Sequence, residues 1–295
     1  MSVDVRRVGP SAAAEVLHVI RTAFAARPTL DPPADALSET EASVAAELRA
    51  HGGLLATVDG EPAGTLLFRP GAEAMLLRRF GVVPSAQGRG VAQRLVQGAV
   101  DATLGYPALA VLAREELPAT VGFWGRRGFE VTDRRPPYVE LRRPLPTSWE
   151  AGDADEMRAL GERLGRSVRA GDVVVLTGEL GAGKTTLTQG MGVGLGVRGS
   201  VTSPTFVIAR VHPSLVGGPG LVHVDAYRLG GIDELDDLDL DTSLDEAVTV
   251  VEWGAGLAEG LAETRLEITI TRALADESID AELDPRVVHA LRVHG

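Results

Sequence analysis

The stretch Gly178-Glu-Leu-Gly-Ala-Gly183-Lys184-Thr185, followed by Thr186, fits the GxxxxGKT pattern of a nucleoside-triphosphate phosphate loop. Each fixed residue has a physical role in that pattern. Glycines let successive backbone N–H groups turn toward phosphate oxygens, a helix N-terminus adds partial positive charge, and the lysine ammonium reaches the β and γ oxygens. The hydroxyl of Thr185 is placed to ligate Mg2+. Lys184 is the only lysine among 29 lysine and arginine residues, which keeps a compact point charge where it differs most from a planar guanidinium.

The elements around the loop must position it. Residues 172–177 form a short β-branched apolar run before it, and residues 187–191 continue as a helix, which is the required order of strand, loop and helix. Two further apolar runs, Leu221-Val-His-Val-Asp225 and Val248-Thr-Val-Val-Glu252, each end in a carboxylate and are followed by Ala226-Tyr227-Arg228 and Trp253-Gly254. Carboxylates at the carboxyl ends of strands suit Mg2+ or a metal-bound water. Lys184, Thr185, Asp225 and Glu252 together make the parts list of triphosphate hydrolysis: a phosphate cradle, metal ligands and a carboxylate able to bind metal or orient water.

The remainder of this half frames those parts. Met157, Leu160, Leu164 and Val168 predict an amphipathic helix over residues 153–168. Ser203-Pro-Thr205-Phe206 reads as a turn leading into a strand, Gly217-Gly-Pro-Gly220 as a hairpin tip, and residues 266–272 as a final alternating strand. The run from Asp233 to Asp241, with leucines at 235, 238 and 240, predicts an acidic helix with one buried edge in preference to a dedicated partner motif.

A second anion site is written into the first half. Val82-Val-Pro-Ser-Ala-Gln87-Gly88-Arg89-Gly90-Val91-Ala92 carries a strand through a glycine-rich turn into a helix over residues 93–103. Before it, residues 3–8 read as a strand, 12–25 as a helix and 28–35 as a proline-rich loop. Ser38-Glu-Thr-Glu41 predicts a serine cap for a second helix ending near Leu48, and Asp59-Gly60 a tight turn between strands 53–58 and 63–68. A third strand is expected over residues 74–83.

At Gln87, Gly90 and Ala92 this half resembles the GNAT family of N-acetyltransferases, whose acetyl-CoA signature is Gln/Arg-x-x-Gly-x-Gly/Ala, and Phe123-Trp124-Gly-Arg-Arg-Gly128-Phe129 resembles a later motif of that family. The resemblance implies a mixed sheet with flanking helices over residues 1–146, and acetyl-CoA held at Val82, Val83, Gln87, Gly88, Arg89, Gly90, Val91 and Ala92. Trp124 stands where many members place the tyrosine that protonates the leaving thiolate, and an indole N–H cannot act as a general acid near neutral pH. Either another group does that work, Tyr138 being a candidate by type, or this half binds CoA without fast catalysis. By residue type alone, Phe123 and Trp124 read as core, and Arg89 as either a solvated side chain or a phosphate contact.

Gly-Glu-Leu-Gly-Ala-Gly-Lys-Thr-Thr-Leu, Ser-Pro-Thr-Phe, His-Val-Asp-Ala-Tyr-Arg-Leu and Val-Glu-Trp-Gly, in that order over residues 149–295, resemble the TsaE (YjeE) family, the ATPase of bacterial tRNA threonylcarbamoyladenosine biosynthesis. Ala226 departs mildly from the bulkier apolar residue common there. The resemblance implies a P-loop α/β domain that binds ATP and Mg2+ and hydrolyses ATP slowly by itself. Its implied partners are the threonylcarbamoyl transferase subunit and that subunit's paralogue, of the TsaD and TsaB type, with tRNA reached only through the complex.

Carried over residue by residue, ATP lies on Gly178, Glu179, Leu180, Gly181, Ala182, Gly183, Lys184, Thr185 and Thr186, with Trp253 lining the site. Thr185 and Glu252 ligate Mg2+, Asp225 supports the metal through water, and Thr205 belongs to a nucleotide-sensing loop. The acetyltransferase resemblance leaves two alternatives open: an acetyltransferase acting on an unnamed amine and regulated by the ATPase half, or an idle interaction module.

Composition bounds these readings. At 295 residues, two α/β domains are expected, with the boundary at the prolines 144 and 146. The absence of cysteine excludes disulfides and thiolate metal sites. No run of eighteen apolar residues and no signal-like N-terminus is present, so a cytoplasmic protein without membrane contact is expected. Residues 1–147 carry 17 basic and 16 acidic side chains and residues 148–295 carry 12 and 25, so the net charge of −12 resides in the second half. A half that acidic does not hold RNA by counterion release unaided.

Overall fold

The computed structural model describes residues 2–199, 201–204, 208–228, 246–254, 256, 262, 264–272 and 285–294. The chain divides into two compact units, Met1–Leu145 and Pro146–Gly295, each built on a seven-stranded sheet. Both are α/β, as expected.

The first unit runs β1 (Val3–Val8), α1 (Ala13–Ala25), α2 (Glu41–His51), β2 (Gly53–Val58), β3 (Glu61–Pro70), β4 (Met75–Val82), α3 (Val91–Ala102), β5 (Ala108–Arg114), α4 (Pro118–Gly125), β6 (Glu130–Arg135) and β7 (Tyr138–Pro144). The sheet order is β1-β2-β3-β4-β5-β7-β6. Asp59 and Gly60 both take positive φ, 53° and 92°, which gives the tight β2–β3 turn the twist the hairpin needs. β4 and β5 are parallel and pair only at Met75 with Leu109 and Leu76 with Ala110, so the two strands part beyond that point.

The second helix begins later than a Ser38 cap would place it. Ser38 instead closes a short 3-10 turn, Asp35–Ser38, and Thr40 is the cap. Thr40 Oγ1 accepts from the Ser43 N–H at 3.1 Å, and Ser43 Oγ accepts from the Thr40 N–H at 2.9 Å. That reciprocal box satisfies two helix-end donors and frees Glu39 to pair with Arg79 Nε at 2.6 Å. Arg79 sits at a bulge between β3 and β4 with φ 53°, and the ion pair ties that strained residue to the start of α2.

The second unit runs β8 (Ser148–Ala151), α5 (Ala154–Ser167), β9 (Val173–Gly178), α6 (Lys184–Leu195), β10 (Ala209–His212), β11 (Gly220–Asp225), β12 (Ala247–Glu252), β13 (Thr264–Arg272) and β14 (Arg286–His294). Its order is β10-β11-β12-β9-β13-β14-β8, with β11, β12, β9 and β13 mutually parallel. β11 and β12 are buried along almost their whole length, as central parallel strands must be. Residues 266–272 are not the last strand: β14 pairs antiparallel with β13 and in turn receives β8. The acidic run 233–241 lies outside the described residues.

α5 and α6 meet at backbone contact, through a glycine pair on each helix. A Cβ at Gly161 would lie 2.2 Å from Leu187 O, and one at Gly165 2.3 Å from Met191 O. From the other side, a Cβ at Gly190 would lie 2.1 Å from Arg158 O, and one at Gly194 2.3 Å from Glu162 O. Backbone atoms cannot step aside as a side chain can. Gly190→Ala is therefore expected to destabilise the second unit by about 3 kcal/mol, the scale of overpacking at a rigid contact. Faster amide hydrogen exchange in α5 and α6 and a lowered thermal midpoint would show it.

Candidate functional site

β9, β12 and β11 lie side by side, with Glu252 opposite Leu176 of β9 and Asp225 opposite Glu252. Their carboxyl ends thus share one edge, where the loop after β9 enters α6. Gly183 caps α6 in the left-handed region at φ 104°, where a side chain would be strained. One pocket of about 250 Å3 is lined by Leu180 to Thr186, Ser203, Asp225, Glu252 and Trp253. Ala182 is buried, whereas Leu180 is exposed at the loop's tip. Gly178 and Glu179 enter through their carbonyls. Thr205 and Phe206 lie outside the described residues.

Lys184 is 5% exposed, so its ammonium needs partners. Nζ donates to Gly178 O at 2.7 Å and Glu179 O at 3.0 Å, and stands 3.8 Å from the Trp253 ring centroid. Burial, the largest influence, lowers its pKa from the ordinary lysine value, while the Glu252 and Asp225 charges oppose that shift. Trp253 takes φ 60°, and its ring lies 5.3 Å from that of Tyr227, itself largely exposed. The Tyr227 N–H donates to Asp225 Oδ1 at 3.1 Å.

Glu252 is the junction of the site. Its Oε1 accepts from Thr185 Oγ1 at 3.0 Å and lies 2.8 Å from His223 Nε2. A carboxylate oxygen can only accept, so the proton sits on Nε2 of His223, whose Nδ1 is buried without a partner. A hydroxyl and two carboxylates are hard oxygen donors of the kind Mg2+ takes, so the donor set fits that ion. His223 was not legible as a site residue. A histidine in an otherwise apolar buried run, two residues before Asp225, was the available signal.

A second candidate site opens where α3 begins in the first unit. Gly90 caps that helix with φ 80°, and a cavity of about 840 Å3 is lined by Val82, Gln87, Gly88, Gly90, Val91 and Ala92 among others. Val83 and Arg89 do not line it. Val83 is buried, with its N–H donating to Ala63 O at 2.9 Å, and Arg89 is exposed. Arg27, Phe80, Leu117, Thr120 and Arg127 contribute to its wall and were not anticipated, because they come from four separate segments. Glu116 also lines it, but hydrogen bonds from Arg114 hold its carboxyl at about 2.

An adjoining cavity of about 360 Å3 occupies the gap where β4 and β5 part. Arg27, Phe80, Leu117 and Thr120 border both cavities. Trp124 and Tyr138 line this second one. Trp124 is buried and packs edge-on against Phe80, Phe123 and Phe129 at centroid distances of 4.8, 5.0 and 4.9 Å, the core role its type predicts.

The second unit therefore presents a P-loop nucleotide site on a largely parallel sheet, and the first an anion cradle beside a split mixed sheet. Comparison with known proteins gives both a family. The model of the threonylcarbamoyl adenosine biosynthesis protein TsaE matches residues 151–279, and that of the GNAT acetyltransferase family matches residues 17–129. The tRNA threonylcarbamoyladenosine biosynthesis protein TsaE of Streptomyces coelicolor is 69% identical over 121 residues, which cover 41% of this chain and 82% of that protein. The Bacillus subtilis protein of the same description is 40% identical over 130 residues, 44% of this chain and 80% of that one. The chain belongs to the TsaE family, with a GNAT acetyltransferase domain in front.

Among solved structures, the first half is similar to the PaiA N-acetyltransferase from Thermoplasma acidophilum in complex with coenzyme A, at 15% identity and a TM-score of 0.44, covering 49% of this chain and 99% of that one. ATP binding follows from the TsaE family and acetyl-CoA binding from the GNAT family. Among the described residues, no helix is long and apolar enough to cross a membrane.

Trp124→Ala would empty a site enclosed by three aromatic rings. It is expected to cost the first unit about 3–5 kcal/mol. Hydrogen exchange in β4 and α4, together with the thermal midpoint of that unit, checks the loss.

Proposed function

We propose that the second half hydrolyses ATP as a subunit of the machinery that installs threonylcarbamoyl on tRNA adenosine, and that the first half transfers acetyl from acetyl-CoA to an amine. The observation that carries the ATPase reading is the meeting of Lys184, Thr185, Asp225 and Glu252 at one carboxyl edge of parallel strands. Backbone N–H groups of the loop from Leu180 to Thr186 cradle the phosphates. Lys184 exchanges its two loop carbonyls for β and γ oxygens. Thr185 and Glu252 would hold Mg2+ directly and Asp225 would support it through water. Mg2+ would supply neutralisation of the developing phosphate charge. Glu252 thereby gives up the Thr185 hydroxyl proton as a partner, while His223 continues to fix its orientation. Thr205 is assigned to nucleotide sensing. The domains implied are residues 1–146 and 149–295.

In the complex, the partners are a transferase subunit of the TsaD type and its TsaB-type paralogue. The acidic second half contacts RNA only through them. The ATPase resets the assembly between turnovers and does not perform the transfer. The site of action is cytoplasmic.

Depleting the protein should lower threonylcarbamoyladenosine in bulk tRNA, and a Lys184→Ala form should fail to restore it, with ATP turnover down about 100-fold. Unchanged modification after depletion would sink the reading.

His223 is a positioning residue in this scheme. His223→Ala should raise the Mg2+ concentration for half-maximal ATP hydrolysis about tenfold, the usual scale for losing a group that orients a metal ligand. His223→Gln, which keeps an N–H donor, should recover part of that shift, whereas a merely structural role would leave the Mg2+ dependence where it was.

A further inference from the structure

A third cavity of the first unit, about 420 Å3, is lined by Gln93, Val96, Gln97, Arg126, Arg127 and Arg143. Every charged residue on its wall is an arginine. Other arginines of the same unit find acids: Arg134 pairs with Glu115 at 3.2 Å, Arg135 with Asp133 at 2.7 Å and Arg142 with Glu73 at 3.0 Å. Among the described residues, Arg126, Arg127 and Arg143 have no such pair. Strand alternation separates Arg142 from Arg143, sending one to the acids and the other to the cavity.

The cavity is built rather than incidental. Arg127 is held by its Nη1 donating to Phe123 O at 3.0 Å and by stacking at 3.6 Å from the Phe123 ring centroid, and its Nε is buried without a partner. Burial, then the Arg126 charge, lowers the Arg127 pKa, the signature of cations crowded without a counter-charge. Arg143 lies over the Gly128 turn, with Cδ and Nε 3.8 Å from where a Cβ would stand. An anion would relieve this arrangement, and guanidinium forks suit phosphate oxygens.

Which phosphate follows from continuity. Gln93 and Arg127 line both this cavity and the groove at the start of α3, and Gln93, Val96 and Gln97 follow that helix away from its N-terminus. Gln93 and Gln97 stand about one helical turn, 5.4 Å, apart along α3, so the arginine cavity continues from the amide cradle along that helix. CoA carries two anionic groups at short separation, the pyrophosphate and the ribose 3′-phosphate. We propose that Arg126, Arg127 and Arg143 form a binding site for the 3′-phosphate of CoA, so that this domain selects CoA thioesters over their 3′-dephospho forms. The proposal rests on the reading of the α3 groove as the pyrophosphate site.

Calorimetric titration of the full-length protein with CoA and with 3′-dephospho-CoA tests it. CoA should bind about 10–100-fold more tightly, and Arg126→Ala combined with Arg143→Ala should lower CoA affinity to that of the dephospho form while leaving dephospho-CoA affinity unchanged. The unchanged affinity doubles as a control for folding. The preference should shrink as salt is raised. Equal affinities in the unaltered protein would overturn the 3′-phosphate site alone, whereas no binding of either ligand would overturn the groove reading and this proposal with it. Equal affinities together with an oligoribonucleotide affinity that falls in the Arg126/Arg143 double variant would assign the cavity to nucleic acid, against the proposal.

Discussion

One buried ammonium group sets the terms for the second half. Lys184 carries its charge into a site where only 5% of it meets solvent, and such a charge survives only with donors' partners on every side. Two loop carbonyls, an indole face and two nearby carboxylates supply them. Those partners come from β9, β11 and β12, so the strands must be in register at their carboxyl ends. The helix that carries Lys184 must also be held at a fixed depth. The glycine contact between α5 and α6 does that, because backbone against backbone leaves no slack of side-chain length. The phosphate loop is thus positioned from below by a helix pair and from the side by a sheet edge.

The first half uses the same device with different surroundings. Gly90 and Gly183 both cap a helix in the left-handed region, so both helices begin with free N–H groups aimed outward from a glycine turn. What differs is the company. Around Gly183 stand a lysine and two carboxylates, which can hold a metal and organise hydrolysis of a phosphoanhydride. Around Gly90 stand apolar walls and arginines, and the one carboxylate lining the groove, Glu116, is already committed to Arg114. That environment can grip a pyrophosphate and has nothing with which to cleave it. In the proposed acetyl transfer, the reacting end of the ligand belongs toward the gap between β4 and β5.

The parts of the fold that sequence made legible are those written in contiguous residues. A glycine loop between an apolar run and a helix, or an apolar run ending in a carboxylate, carries its meaning locally, and the register of β9, β11 and β12 then brings Lys184, Asp225 and Glu252 together. Contacts made across distant segments were illegible. His223 meets Glu252 because β11 and β12 align in one particular register, and no local pattern states it. The close approach of Gly161 and Gly165 to α6 is likewise written in no local pattern. The α2 cap was misplaced because Ser38 and Thr40 both head a plausible box, and the choice was made by Glu39 reaching Arg79 forty residues away. Val83 falls outside the groove because it is buried with its N–H bonded to Ala63 O, and Arg89 because its side chain is exposed at the turn.

Trp124 shows how a departure from a family pattern can be read through packing. Its ring fills a space bounded by Phe80, Phe123 and Phe129, which come from β4, α4 and the turn after it. Indole offers one donor and no titratable proton in the neutral range, so at this position size has replaced acidity. In the proposed acetyl transfer, a proton for the leaving thiolate has to come from a group other than this indole. Tyr138 lines the same cavity, at the start of β7, with the Arg114 guanidinium 5.4 Å from its ring centroid. Arg114 is itself fixed by Glu116 and by the carbonyls of Asp31 and Pro32, so the phenol ring sits against a cation held in place. The split between β4 and β5 opens the cavity that the phenol and the indole both line, so residue 124 contributes there by its size and packing.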